Sequence, residues 1–168
     1  QLLHAVYFNG TTYVDNVQAV TDRSTATHLG LDAMTTAHKV YLGFSEPALG
    51  TFIDLHATNL NAVAATLDVE YCSTAVALGT AIVFTDVAGD SDGTDTGPGT
   101  TLGQDGVYTW TLPTTWKKST LGTYDVPLFS ECWWIRFTPS TTLSATIDVQ
   151  EIIPVYQNAN YSYMEAGV

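Results

Sequence analysis

The run Asp90-Ser91-Asp92-Gly93-Thr94-Asp95 is the sharpest chemical feature of the sequence, with Asp86 just ahead of it. Alternate carboxylates around a turn-making Gly can wrap a hard cation in oxygen ligands. Asp90, Asp92 and Asp95 are therefore the candidate metal ligands, and Ca²⁺ is the ion they would suit. A full Ca²⁺ loop needs six or more oxygens, and no bidentate Glu follows at the expected distance. Asp, Ser, Thr and Gly also build ordinary solvated turns. A plain acidic loop stands beside the Ca²⁺ reading, and no other cofactor is implied.

The four histidines are His4, His28, His38 and His56. Asp54 and His56 fall on one face of an expected strand, but two residues make half a metal site at best. Nucleophilic hydrolysis has no local signature: there is no Gly-x-Ser-x-Gly elbow and no Cys–His spacing that recommends a pair. Dinucleotide and phosphate loops are also missing. With 17 Asp and Glu, some carboxylate pair always exists, so a glycosidase reading gains nothing from the count. An enzyme is not expected.

Tyr108, Trp110, Trp116, Trp133 and Trp134 gather in the last third of the chain. Adjacent strand residues face opposite ways, so Trp133 and Trp134 cannot share one core layer. The alternation puts Trp133, Ile135 and Phe137 on one face and Trp134 and Arg136 on the other. Trp134 is then covered by a protein interface, by its own chain or by a stacked sugar. Arg136 shares that face and should stack on Trp134 or pair with an acid. The tail carries Tyr156, Tyr161 and Tyr163 and no charge except Glu165. Tyr gives large contact area at low entropy cost, so this tail suits a neighbour's surface, or it is a frayed end. Trp134, Arg136, Tyr156, Tyr161 and Tyr163 are the candidate interface residues.

These side chains need strands to position them. Period-2 alternation recurs along the chain, and helical period is nearly absent. Expected strands are 38–44, 51–57, 65–71, 80–87, 107–112, 131–137 and 143–150, with weaker ones at 4–8 and 12–20. One helical turn is expected around 30–36. Residues 88–106 read as a long surface loop. The fold class is all-β, an antiparallel β-sandwich or jelly roll with extended N- and C-terminal arms. The division is 1–37 as an N-terminal arm with one or two strands, 38–154 as the sandwich, and 155–168 as a C-terminal arm.

Composition supports this and removes other classes. At 168 residues the chain fits one domain, or a domain with arms. Charged residues are 13% of it, about half the usual share. About one residue in six is Thr, which suits strands. The net charge is -12, from 5 Lys and Arg against 17 acids. Such a surface repels phosphate, so neither nucleic acid nor anionic lipid is an expected partner. No apolar run is long enough for a membrane helix. Gln1-Leu2-Leu3-His4 shows no basic or long apolar region, so no signal peptide is expected there. Cys72 and Cys132 are too few for a disulfide scaffold, and whether they pair depends on strand register.

One ordered series of motifs goes further. It runs Lys39-Val40-Tyr41-Leu42-Gly43-Phe44, Pro47, Phe52-Ile53-Asp54-Leu55, Asn59-Leu60-Asn61 and Leu67-Asp68-Val69-Glu70-Tyr71. It continues through Asp92-Gly93-Thr94, Leu102-Gly103-Gln104-Asp105-Gly106, Trp110-Thr111-Leu112-Pro113, Trp116 and Leu128. It ends with Trp133-Trp134-Ile135-Arg136-Phe137, Leu143-Ser144-Ala145-Thr146 and Ile152. This order, over about residues 38–153, resembles β-sandwich structural proteins of tailed bacteriophage virions. The resemblance implies a virion component and no catalytic residues. It points to a capsid decoration (cement) protein that binds the major capsid protein and joins capsomers as a homo-oligomer, a trimer being favoured. The alternative it leaves is a tail, baseplate or host-adsorption sandwich that binds carbohydrate.

Overall fold

The computed structural model describes residues 1–22, 24, 26–74, 82–97, 99–122 and 129–157. Among these the chain forms twelve strands and one short 3-10 turn, Gln18–Val20. One sheet has seven strands: β1 (Leu2–Phe8), β2 (Tyr13–Asp15), β4 (Lys39–Phe44), β6 (Leu67–Thr74), β7 (Val83–Asp86), β10 (Lys118–Ser119) and β11 (Cys132–Pro139). Its order is β2-β1-β4-β11-β6-β7, and β10 pairs with the start of β11. The other sheet has five strands: β3 (Leu29–Gly30), β5 (Gly50–Leu55), β8 (Ala88–Asp92), β9 (Gly106–Thr111) and β12 (Asp148–Val155), in the order β3-β12-β5-β9-β8. The strand pairings are antiparallel, and the two sheets make a sandwich.

Alternation decides which face is inside. Val40, Leu42, Leu67 and Phe137 of the larger sheet meet Ile53, Val149 and Ile152 of the smaller one around an apolar void of about 30 Å³. Leu29, Leu31, Met34 and Leu102 close the same space. Tyr41, Gly43, Trp134 and Arg136, one step out of phase, therefore belong to the outer face of the larger sheet.

Four expectations change. Strands β1, β2 and β3 of the expected N-terminal arm are built into the two sheets: β1 pairs with β4 from Leu2 to Phe8, β2 with β1 and β3 with β12, and Leu2, Ala5 and Val6 are buried. No helix forms at 30–36; Leu31, Met34 and their neighbours make turns, with Ala33 at φ 46. The last strand starts at Asp148, not near 143. Leu143 N–H instead donates to Met34 and Ile147 N–H to the Asp32 carboxylate, so the alternating 143–147 stretch seals the sandwich end as a loop. Finally, 88–106 is not a free loop: its start is β8, and Thr94, Thr101 and Leu102 are buried.

Candidate functional site

Chemistry-bearing side chains concentrate on the outer face of the seven-stranded sheet. Register sets them in rows. His4, Gly43 and Trp134 lie level across β1, β4 and β11; Val6, Tyr41, Arg136 and Glu70 form the next row, reaching β6. Asp15 on β2 pairs with Val6 and so joins that second row.

Trp134 is fully buried, and its cover comes from its own chain. Its indole N–H donates to the Ser119 carbonyl at 2.7 Å. His4 stacks on it at 5.6 Å between centroids, and Phe129 tilts against it at 6.3 Å. Gly43 makes the room, since a Cβ there would stand 2.9 Å from two indole carbons. Trp134 thus offers no surface to a partner, which corrects its reading as an interface residue.

Arg136 is also turned inward on its chain. Its Nε and a terminal nitrogen donate to the two Glu70 carboxylate oxygens, both at 2.6 Å, in a fork. Its guanidinium carbon lies 4.4 Å from the Phe84 ring centre, so the aromatic partner is Phe84 and not Trp134. The pairing with an acid expected of an Arg in a strand is what the structure contains. Asp68 and Asp86 flank Glu70, with ligand oxygens of all three within 4.8 Å of one another. Burial first, then the charges of Glu70 and Asp86, raises the Asp68 carboxyl above its ordinary value.

Beside Arg136 the face opens into a concavity of about 240 Å³, lined by Tyr13, Tyr41, Ile82, Phe84 and Leu121. Its rings run in sequence across the sheet: Phe8 stacks on Tyr13 at 4.5 Å, Tyr13 meets Tyr41 at 6.1 Å, and Tyr41 meets Phe84 at 5.7 Å. Burial pushes the Tyr41 hydroxyl up to about 12, so it stays a neutral donor.

The other end of this face holds a chain of three polar groups. Asp15 Oδ2 lies 2.5 Å from His4 Nδ1, and His4 Nε2 lies 2.7 Å from Ser130 Oγ. Asp15 Oδ1 accepts the N–H groups of Ala5 and Val17, each at 3.1 Å. The carboxylate is thereby fixed from behind while its second oxygen orients the imidazole.

Comparison with known protein families, curated proteins and solved structures finds no match. The residues themselves must carry the assignment.

The Asp-rich loop uses its carboxylates locally. Asp90 accepts from the Tyr108 hydroxyl at 2.9 Å. Asp92 accepts from the Thr94 N–H at 2.8 Å and from its hydroxyl. Asp95 accepts from the N–H groups of Gly97, Gly99 and Thr100. Those backbone bonds hold the Asp95 carboxyl below its ordinary value. Asp92 and Asp95 cap turns while Asp90 sits in β8 and faces Tyr108, and no grouping of the three close enough to share an ion occurs among the described residues. His56 Nδ1 likewise faces the Thr58 hydroxyl at 3.1 Å, inside its own turn.

Tyr156 is half-buried against the core, and its hydroxyl accepts from the Gln1 ammonium, so it too is occupied by its own chain. Tyr161 and Tyr163 lie outside the described residues. Cys72 and Cys132 are both buried and free. Burial pushes the Cys72 thiol up to about 11 and raises that of Cys132.

The sequence reading missed Asp15, Ser130, Tyr13 and Phe84, and gave His4 no partner. The available cue was Asn9-Gly10, a strong hairpin signal. Asn9 Oδ1 accepts from the N–H groups of Thr11 and Thr12, and Gly10 takes φ 89. That turn brings Asp15 back beside the β1 strand that carries His4.

Proposed function

We propose that this chain is a structural component of a phage particle, most simply a decoration protein that joins neighbouring subunits of the outer shell. The observation that carries the reading is the pair of exposed edge strands of the larger sheet, β2 and β7. All three residues of β2 are exposed, with Tyr13 at 37% and Val14 at 51%, and Val83 on β7 is 50% exposed. Neither strand carries Lys or Pro, and the edge protection each has is its shortness and one acid, Asp15 or Asp86. Exposed edges of this kind suit a chain whose working state is an assembly. The low density of charged side chains fits the same state, because interface cores are depleted in Lys, Glu and Asp. The resemblance over residues 38–153 supports a virion setting, the major capsid protein as partner, and a closed homo-oligomer such as a trimer.

A second reading draws on the ring row from Phe8 to Phe84 and the concavity beside Arg136. Aromatic faces next to fixed polar groups are what sugar rings stack on. A tail or host-adsorption sandwich that binds carbohydrate would use this surface.

Light scattering at low micromolar concentration separates the two. A closed oligomer that Val14→Lys and Val83→Lys convert to monomer is the result expected for the first reading. A monomer that binds on a glycan array, and stops binding when Tyr13 becomes Ala, favours the second.

A further inference from the structure

We propose that Ser130, His4 and Asp15 form an acyl-transfer relay, with Ser130 as nucleophile, and that the protein cleaves small carboxylic esters there. The inference is independent of the virion reading. It starts from proton bookkeeping along the three groups. An ionised carboxylate only accepts hydrogen bonds. Asp15 Oδ2 at 2.5 Å therefore places the imidazole proton on His4 Nδ1. Nε2 is left with its lone pair, 2.7 Å from Ser130 Oγ, and is the nearer acceptor for the hydroxyl hydrogen, the Cys132 sulfur lying at 3.7 Å. This is the tautomer that a serine nucleophile needs of its base.

The ring is also held in place. Trp134 stacks on one side of it, with an interplanar angle of 20°, and Phe129 lies 5.4 Å away at 56°. Trp134 is fully buried, so this support does not swing with solvent. Fixing a base in one orientation removes entropy cost from the reacting geometry. The His4 and Asp15 side chains are 19% and 23% exposed, whereas Ser130 lies at the surface. A small ester can reach Oγ. Tyr13 stands two residues from Asp15 along β2, about 7 Å on the same face, so the ring row lies next to the relay.

The reaction balances with water alone. Ser130 Oγ attacks the carbonyl carbon, and its proton passes to His4 Nε2. The bond from that carbon to the alcohol oxygen breaks, and Nε2–H protonates the departing oxygen. Water then gives a proton to Nε2 and attacks the acyl-serine. The carboxylic acid leaves and Oγ regains its hydrogen. Asp15 is a positioning residue and stays ionised throughout.

The test uses the full chain, p-nitrophenyl acetate and a fluorophosphonate probe. Phosphonylation should map to Ser130 by mass spectrometry, and ester hydrolysis should exceed that of Ser130→Ala by about 100-fold, the scale of a positioned general base. His4→Gln should abolish both. Asp15→Asn keeps the Oδ1 acceptor for the two N–H groups but turns a donor toward Nδ1. It should lower kcat at least about 100-fold with KM and the circular dichroism spectrum unchanged. No labelling of Ser130 in the folded wild-type chain overturns the proposal. Labelling and hydrolysis that persist in His4→Gln overturn it as well.

Discussion

Replacing Arg136 with Met tests whether the outer face is organised around one cation. Met keeps much of the aliphatic length over Phe84 and removes the charge. Glu70 then loses a forked partner while its side chain is only 12% exposed. Removing one partner of a buried pair costs about 3–5 kcal/mol. Arg136 is itself 24% exposed, which places the loss at the lower end of that range. The acids left behind add to it. Two unit charges 4.8 Å apart, the span of the Asp68, Glu70 and Asp86 group, repel by about 3.5 kcal/mol at an effective dielectric of 20. Asp68 and Asp86 are exposed, so water and salt reduce this to about 1 kcal/mol or less. A total of about 3–4 kcal/mol is expected at pH 7 from urea unfolding. The loss should shrink as pH falls. The folded-state carboxyl of Asp68 is already raised, and a raised acid contributes stability that is complete below its unfolded value and vanishes as pH rises through its folded value. Arg136 opposes the rise at Asp68, so removing the cation raises that carboxyl further, and lowering the pH toward 5 should stabilise the variant more than the wild type and recover part of the deficit. A loss below about 0.5 kcal/mol at pH 7, the size of an exposed ion pair, would refute the reasoning. So would a loss that is the same at pH 5.

Gly43→Ala should destabilise by about 2 kcal/mol or more in the same assay, because its Cβ meets the Trp134 ring at 2.9 Å and the fully buried indole has no room to retreat. Cys72 and Cys132 should resist a thiol reagent at pH 8 in the folded protein and react once it is unfolded, since burial both hides the two thiols and disfavours their thiolates. Asp95→Ala should speed hydrogen exchange at Gly97, Gly99 and Thr100, whose N–H groups lose their acceptor. In the wild type the same bonds should weaken as pH falls through the depressed Asp95 value, because a lowered carboxyl contributes only while ionised.

The sandwich was legible because period 2 is a local property. Val40, Leu42 and Phe44 alternate with Tyr41 and Gly43, and the structure puts the two sets on opposite faces. The 143–150 stretch alternates as cleanly, yet only its end is strand. There the backbone of Leu143 and Ile147 is claimed by Met34 and Asp32, more than a hundred residues earlier. The relay was not legible for the same reason. Ser130 meets His4 across 126 residues, through the neighbouring positions of β1, β4 and β11, and no spacing rule encodes such a meeting. Arg136 was intermediate: its strand face and its need of an acid followed from the sequence, while the choice of Glu70 required the β6–β11 register. Residues 1–37 looked like an arm because their strands are short or irregular, and only burial of Ala5, Val6, Leu29 and Met34 reveals them as core.

The fit of Trp134 against Gly43 also bears on descent. Threonines on the surface can be exchanged freely, and strands at the open edges can drift with whatever they meet. The glycine and the indole cannot change independently, because a methyl group on one strand occupies space taken by the ring of the next. Related chains should therefore keep both residues or lose both together, a linked signature that would outlast most other likeness between distant cousins.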